Sequence, residues 1–251
     1  MKEESLLLLS DLQKLINQVV LIDYTIIILG GERMGETVKE ATSQSLTKQL
    51  SEFVSWRIQW LSSMTRESQV KATLANLRRG VGKTPGELPE LWGTLFQNFP
   101  KALNEKASEI EPSKAEWAAY LSLTLYALHQ QGHDIEKENM QRDGVGLGTA
   151  VRRLVPEGEA EENSSIFSRF QTLATSSDIK ELAHHLRGII QLLNQGKIGL
   201  DYVKLSEDLY RYQFEDSRNG VRLKWGRQYF GGIKKEENEE QDHSENSKKS
   251  E

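Results

Sequence analysis

The chain has 251 residues, 37% of them hydrophobic and 27% charged, with 32 Lys and Arg against 37 Asp and Glu. That profile fits a soluble globular protein with enough chain to bury a core, and it excludes fibrous and membrane-spanning classes. The absence of cysteine excludes disulfides, thiolate metal sites and a cysteine nucleophile, and suits a cytoplasmic location.

The formal net charge of −5 argues at first against a nucleic-acid partner, but its distribution changes that reading. Residues 1–33 hold three basic and five acidic side chains, and residues 234–251 hold four and seven. The stretch between them holds 25 of each and is neutral, so the overall charge says nothing about any one face of the middle.

Residues 1–45 read as an N-terminal extension. No export signal opens it, and its apolar stretch from Leu6 to Leu29 is broken by Asp11, Lys14 and Asp23, so it is not a membrane anchor. Gly30-Gly31-Glu32-Arg33 before Met34 can be written in purine-rich codons that match a bacterial ribosome-binding site. Residues 1–33 are therefore either a mis-annotated leader with Met34 as the start, or an apolar extension that packs on the body or a partner.

From residue 46 the periodicity is helical. Leu46, Leu50, Phe53, Arg57, Trp60 and Met64 share one stripe, and Val70, Leu74 and Leu77 continue a second helix that stops at Gly80. The Gly- and Pro-rich segment 80–89 predicts a loop, followed by a short helix over 90–98. Ser113 and Glu116 have capping-box spacing and open a helix that presents Trp117, Leu121, Leu125 and Leu128 and ends near Gly132. A glycine turn at 144–148 leads into a short basic helix, and 157–163 is an acidic connection. Helices over 166–173, 178–194, 201–214 and 220–230 follow, with Asp178 and Glu181 as a cap pair and Leu182, Leu186, Ile189 and Leu193 as an apolar stripe. After Gly231-Gly232 the composition becomes that of a disordered acidic tail. The predicted fold is all-α: a helical-bundle domain over 46–140, a second over 141–233, and the tail at 234–251.

Two glycine motifs point to nucleotides and fail. Gly80-Val81-Gly82-Lys83-Thr84 resembles the end of a phosphate-binding loop, but Leu77 stands where that motif needs glycine and a helix precedes it. Gly144-Val145-Gly146-Leu147-Gly148 lacks the third fingerprint glycine, which is Thr149, and no strand leads into it. It reads as a flexible turn whose amides could hold a phosphate. His129, His133 and Asp134 have a spacing that could serve an HD-like metal-dependent phosphohydrolase, the alternative function, although a polar helix end favoured by the dipole explains them more simply. His184-His185 straddles a core-facing and a solvent-facing position.

The basic residues carry more. Arg57, Arg66, Lys71, Arg78, Arg79 and Lys83 are opposed only by Glu52 and Glu67 nearby. Arg152 and Arg153 follow the glycine turn. Arg211, Arg218, Arg222, Lys224 and Arg227 alternate with Tyr210, Tyr212, Trp225 and Tyr229. Arginine suits phosphate and aromatics suit bases; equally, the charges could be solvated faces and the aromatics core.

The run from Leu77-Arg78-Arg79-Gly80 through Pro85-Gly86-Glu87-Leu88-Pro89-Glu90-Leu91-Trp92 resembles the N-terminal signature of the CasB family, the small subunits of the type I-E CRISPR Cascade complex. Gly144 to Gly148 with Arg152-Arg153 resembles its second motif. Arg169-Phe170, Leu182 to Gly188, Leu200-Asp201-Tyr202, Leu209-Tyr210 and Val221 to Gly226 resemble its third. The likeness spans residues 46–230.

The resemblance implies a noncatalytic protein without cofactors that acts in CRISPR antiviral defence. Its partners would be the crRNA, the target and displaced DNA strands, the large and backbone subunits of Cascade, and a second copy of itself. A basic face would steady the R-loop. Carried over by motif, the nucleic-acid contacts would be Arg78, Arg79 and Lys83 at the first loop, Arg152 and Arg153 beside the turn, and Arg187, Arg222, Lys224 and Arg227 in the C-terminal domain. Thr149 stands where family members can carry a basic residue.

Overall fold

The computed structural model describes residues 45–104, 111–156 and 164–231. The expected leader, the acidic connection 157–163 and the tail lie outside the described residues. By contact the chain divides into Met1–Leu46 and Thr47–Glu251, and nearly all the described residues belong to the second unit.

Helix α1 covers residues 45–62 and buries Leu50, Phe53, Val54, Ile58 and Leu61. Helix α2, Glu67–Arg79, buries Val70, Leu74 and Leu77. Its stop is set by packing. A β-carbon at Gly80 would meet the Tyr120 hydroxyl at 2.8 Å and Thr124 Cγ2 at 2.9 Å. In the space glycine leaves, the Tyr120 hydroxyl donates to the Gly80 carbonyl at 2.7 Å. The expected helix over 90–98 is a 3₁₀ turn, Pro89–Leu91, running into the short helix α3, Trp92–Phe96.

Helix α4, Lys114–His129, opens on the expected capping box. The Glu116 amide donates to Ser113 Oγ at 3.0 Å, and the Ser113 amide donates to Glu116 Oε2 at 2.6 Å. Of the stripe expected of it, Trp117, Leu121 and Leu125 are buried and Leu128 is half-buried, and the stripe is too narrow. Ala118, Ala119, Leu123 and Ala127 are buried as well, because α4 is enclosed by α2, α3 and two later helices, Ile179–Gln195 and Tyr202–Tyr212. A helix apolar on all sides belongs inside the fold.

Helices α5, Leu147–Arg152, and α6, Ser165–Ala174, come next. In α7, Ile179–Gln195, the Asp178 side chain accepts from the Lys180 and Glu181 amides at 2.8 and 2.9 Å, and the expected stripe is buried with Ile190 added. Helices α8, Tyr202–Tyr212, and α9, Glu215–Gly231, complete the chain. Among the described residues there is no strand, only one bridge between Gln141 and Leu200. Helix α9 packs mainly on α5 and also on α8.

Candidate nucleic-acid interface

The first loop begins at the C-terminus of α2, where Arg78 is half-buried and Arg79 is exposed. Burial lowers the Arg78 guanidinium from its usual range, and Arg79 pairs with Glu90 at 2.9 Å. Gly82 and Gly86 both take positive φ, +85° and +96°, which turns the loop back sharply. At its centre the Thr84 amide and hydroxyl both donate to Glu87 Oε1, at 2.7 and 2.6 Å. These bonds hold the Glu87 carboxylate below its ordinary range, helped by the charges of Lys83 and Lys180. Lys83 Nζ lies 3.8 Å from Glu87 Oε2. The loop therefore holds an anion already, supplied by its own chain.

Helix α7 closes the other side of this loop. Arg187 Nη1 comes within 3.7 Å of the point where a β-carbon would stand at Gly82. Arg187 and Lys180 are exposed and lie two turns apart on one helix face. The structure thus gathers Lys83 and Arg187, which the motifs named, and adds Lys180, which they did not; Arg79 is turned to Glu90. The seven-residue interval from Lys180 to Arg187 was the signal for it.

The glycine turn before α5 is not a flexible phosphate cradle. A β-carbon at Gly148 would run into the Trp225 carbonyl oxygen, and one at Gly146 into the Gln228 side chain. The Gly148 amide donates to Gln228 Oε1 at 3.2 Å and the Gly144 amide to Asp201 Oδ2 at 2.8 Å. The glycines let α5 press against α9, and these two amides are already spent on protein acceptors. Thr149 joins this seam, its hydroxyl donating to the Gln228 carbonyl at 3.4 Å. Behind it Arg152 is half-buried, whereas Arg153 is exposed.

In the last two helices the alternation of basic and aromatic residues is a core with a charged lining. Tyr210, Tyr212, Trp225 and Tyr229 are buried, so none offers a face for a base to stack on. Asp208 is buried and accepts from Trp225 Nε1 at 2.9 Å and Lys224 Nζ at 2.7 Å. Arg222 donates to the Ser176 carbonyl at 3.0 Å and to the Tyr212 hydroxyl at 3.2 Å. Lys224 and Arg222 are held as structural links, and Arg227 alone of the three is exposed. Arg57 is likewise 1% exposed, bonded to the Gln97 carbonyl at 2.6 Å and set 4.6 Å from the Trp56 ring.

The sequence profile of the family described as CRISPR-associated protein Cse2 matches residues 73–230. The chain belongs to the Cse2 family. Its fold is similar to that of CasB from Thermobifida fusca, at a TM-score of 0.59 and 34% identity, covering 72% of this chain and 97% of that one. It is also similar to M. ruber CasB, at 0.51 and 25%, covering 72% and 94%. A comparison with curated proteins gave no match. The Cse2 assignment agrees with the signature at residues 77–92 and its implied place as the small subunit of type I-E Cascade.

Nothing among the described residues of this Cse2 chain supports the phosphohydrolase alternative. Among the described residues no group of three or more His, Asp or Glu could hold a metal. His129 is buried on α4 and hydrogen-bonded to the Tyr202 hydroxyl at 3.0 Å, and burial pushes its pKa down to about 4. It is therefore neutral at pH 7, which also removes the dipole explanation. His133 Nδ1 lies 3.1 Å from Glu138 Oε2, and Asp134 Oδ1 accepts from the Glu136 amide at 3.0 Å. His184 is exposed and His185 half-buried, so neither faces the core. No helix among the described residues is long and apolar enough to cross a membrane.

Proposed function

We propose that this Cse2 chain is a noncatalytic small subunit of Cascade that steadies the crRNA–target R-loop and the displaced strand. Its basic face would be centred on Lys83, Arg187 and Lys180, with Arg78 and Arg79 behind them and Arg153 and Arg227 as outlying contacts. The observation that carries the reading is the approach of Arg187 to Gly82, which joins the first and third signature motifs on one surface. In this reading Arg152 supports the α5 end, while Arg222 and Lys224 act through the fold.

The mechanism is electrostatic and independent of sequence. Guide pairing reads the target, and exchanging a DNA duplex for an RNA–DNA heteroduplex is close to balance. A few charge-assisted contacts to phosphate, each worth ~1.5–3 kcal/mol, can tip it. A second copy, the large subunit and the backbone subunits would complete the binding channel in the cytoplasm.

The test is R-loop lifetime in assembled Cascade carrying Lys83→Ala or Arg187→Ala, measured over a range of salt. Each variant should shorten the lifetime on all targets alike and reduce the salt slope by about one. Unchanged lifetimes and slopes in both would overturn the assignment.

A further inference from the structure

Helix α1 leaves the indole of Trp56 43% exposed. Two cavities, of about 340 Å³ and about 310 Å³, share this ring, and both are also lined by Glu52. The two residues are four positions apart, which makes them neighbours on one helix face. Phe53, Asn98 and Pro100 help wall the first cavity, and Ser55, Gln59 and Val203 the second. Among the described residues lining them, Glu52 alone is charged, and its side chain is exposed.

Three observations point to a planar cation as the occupant. The ring already stacks one guanidinium, since Arg57 lies 4.6 Å from its centroid. Arg57 is 1% exposed whereas Trp56 is open, so the rest of the ring surface faces water. The cation now beside Glu52 is Lys48, 3.8 Å away, with both side chains exposed. Such a surface pair is weak and yields readily to a better partner. Asn98 holds φ +62°, a conformation uncommon outside glycine and recurrent where the chain clamps a ligand.

We infer that Glu52 and Trp56 form a seat for an arginine side chain presented by a partner protein. Its guanidinium lies against the outer surface of the indole and bonds the Glu52 carboxylate with two N–H groups. Arginine fits better than lysine, because a flat fork can stack on the ring and bind the carboxylate together. An apolar side chain fits worse, because it would cover Glu52 without replacing the water that solvates it. Amide and hydroxyl oxygens of Gln59, Asn98 and Ser55 can accept the remaining donors. A tryptophan meeting an arginine is a pairing that anchors protein interfaces. The seat shares no residue with the basic face around Lys83 and Arg187, so it stands apart from the function proposed above.

The experiment follows the Trp56 indole N–H signal of the full-length protein by NMR at constant ionic strength, assigned with Trp56→Phe. The probes are N-acetyl-arginine amide, its uncharged citrulline counterpart and N-acetyl-proline amide. Arginine amide should move the signal with a Kd on the order of 10 mM, and the other two should bind at least about fivefold more weakly. Glu52→Gln should weaken arginine amide about fivefold, and Lys48→Ala should strengthen it about twofold. Neither exposed residue should change the melting temperature appreciably. The seat is overturned if arginine amide leaves the signal in place, if citrulline or proline binds as well, or if Glu52→Gln binds like the parent. Should Glu52→Gln fail to fold, the citrulline comparison and Lys48→Ala decide.

Discussion

Arg187 on α7 reaches to within 3.7 Å of the β-carbon position of Gly82, in the loop that ends α2. Two residues far apart in the chain thereby share one surface, and the loop depends on glycine for its backbone, since a β-carbon at that distance from Arg187 would be in ordinary contact. Gly82→Ala should destabilise the protein by about 1 kcal/mol through the strain at φ +85° and should also weaken nucleic-acid binding. Gly86→Ala, at φ +96° with open space around it, should lower the melting temperature to a similar degree and leave binding alone. Melting and anisotropy on the two variants separate these effects.

Glu87 occupies Thr84 and lies beside Lys83, the groups that a phosphate would use on the proposed basic face. Glu87→Gln keeps an oxygen for the Thr84 amide and hydroxyl and removes the charge. Nucleic-acid affinity should rise about threefold at low salt, with the gain disappearing at high salt. A fall in affinity would show instead that the carboxylate is needed to shape the loop.

Asp208 holds the Trp225 ring nitrogen and Lys224 at the same time. Asp208→Ala leaves a buried indole N–H and an ammonium without their acceptor and should cost roughly 3 kcal/mol in denaturant unfolding. Lys224→Ala should also lower stability, and it should leave the salt slope of nucleic-acid binding unchanged. A reduced slope would return Lys224 to the binding face.

His129 makes stability depend on pH. Its pKa is lowered from 6.5 to about 4 in the folded protein by burial, so the unfolded chain takes up the proton first. Stability therefore falls as pH drops from about 6.5 toward 4, by roughly 3 kcal/mol across that window, and this contribution is flat above it. His129→Gln should flatten the slope in urea titrations run across the same pH range.

Local rules are readable in the sequence wherever a few neighbouring residues decide the outcome. Ser113 with Glu116 and Asp178 with Glu181 each act within one helical turn, and both stand in the structure; the stop at Gly80 also stands, although its reason is a tyrosine forty positions away. Gly220 reads as a helix boundary, yet α9 begins at Glu215 and carries Gly220 in its interior. The charged residues mislead differently. Arg57 looks the same in sequence as Arg79, yet it bonds to Gln97 forty positions away and is buried. Lys224 meets an aspartate on another helix, and Arg222 a carbonyl in the turn after α6. Such partners are set by tertiary packing, so a motif can mark a basic residue without telling whether it faces outward. The glycines of the second motif mislead for the same reason, since the neighbour that needs their bare backbone is α9.

That seam between α5 and α9 also sets an order of events. Gly148 and Gln228 are eighty positions apart, and Trp225 brings the indole that Asp208 receives. Until α9 has left the ribosome, α5 has no lid and Asp208 lacks two of its partners. A growing chain that has reached only α8 carries an uncovered apolar flank, and its last long-range closure must wait for the whole helical body to be made. Closure of the body therefore waits for α9, and a chain cut short before α9 is material for chaperones and proteases rather than a smaller working subunit.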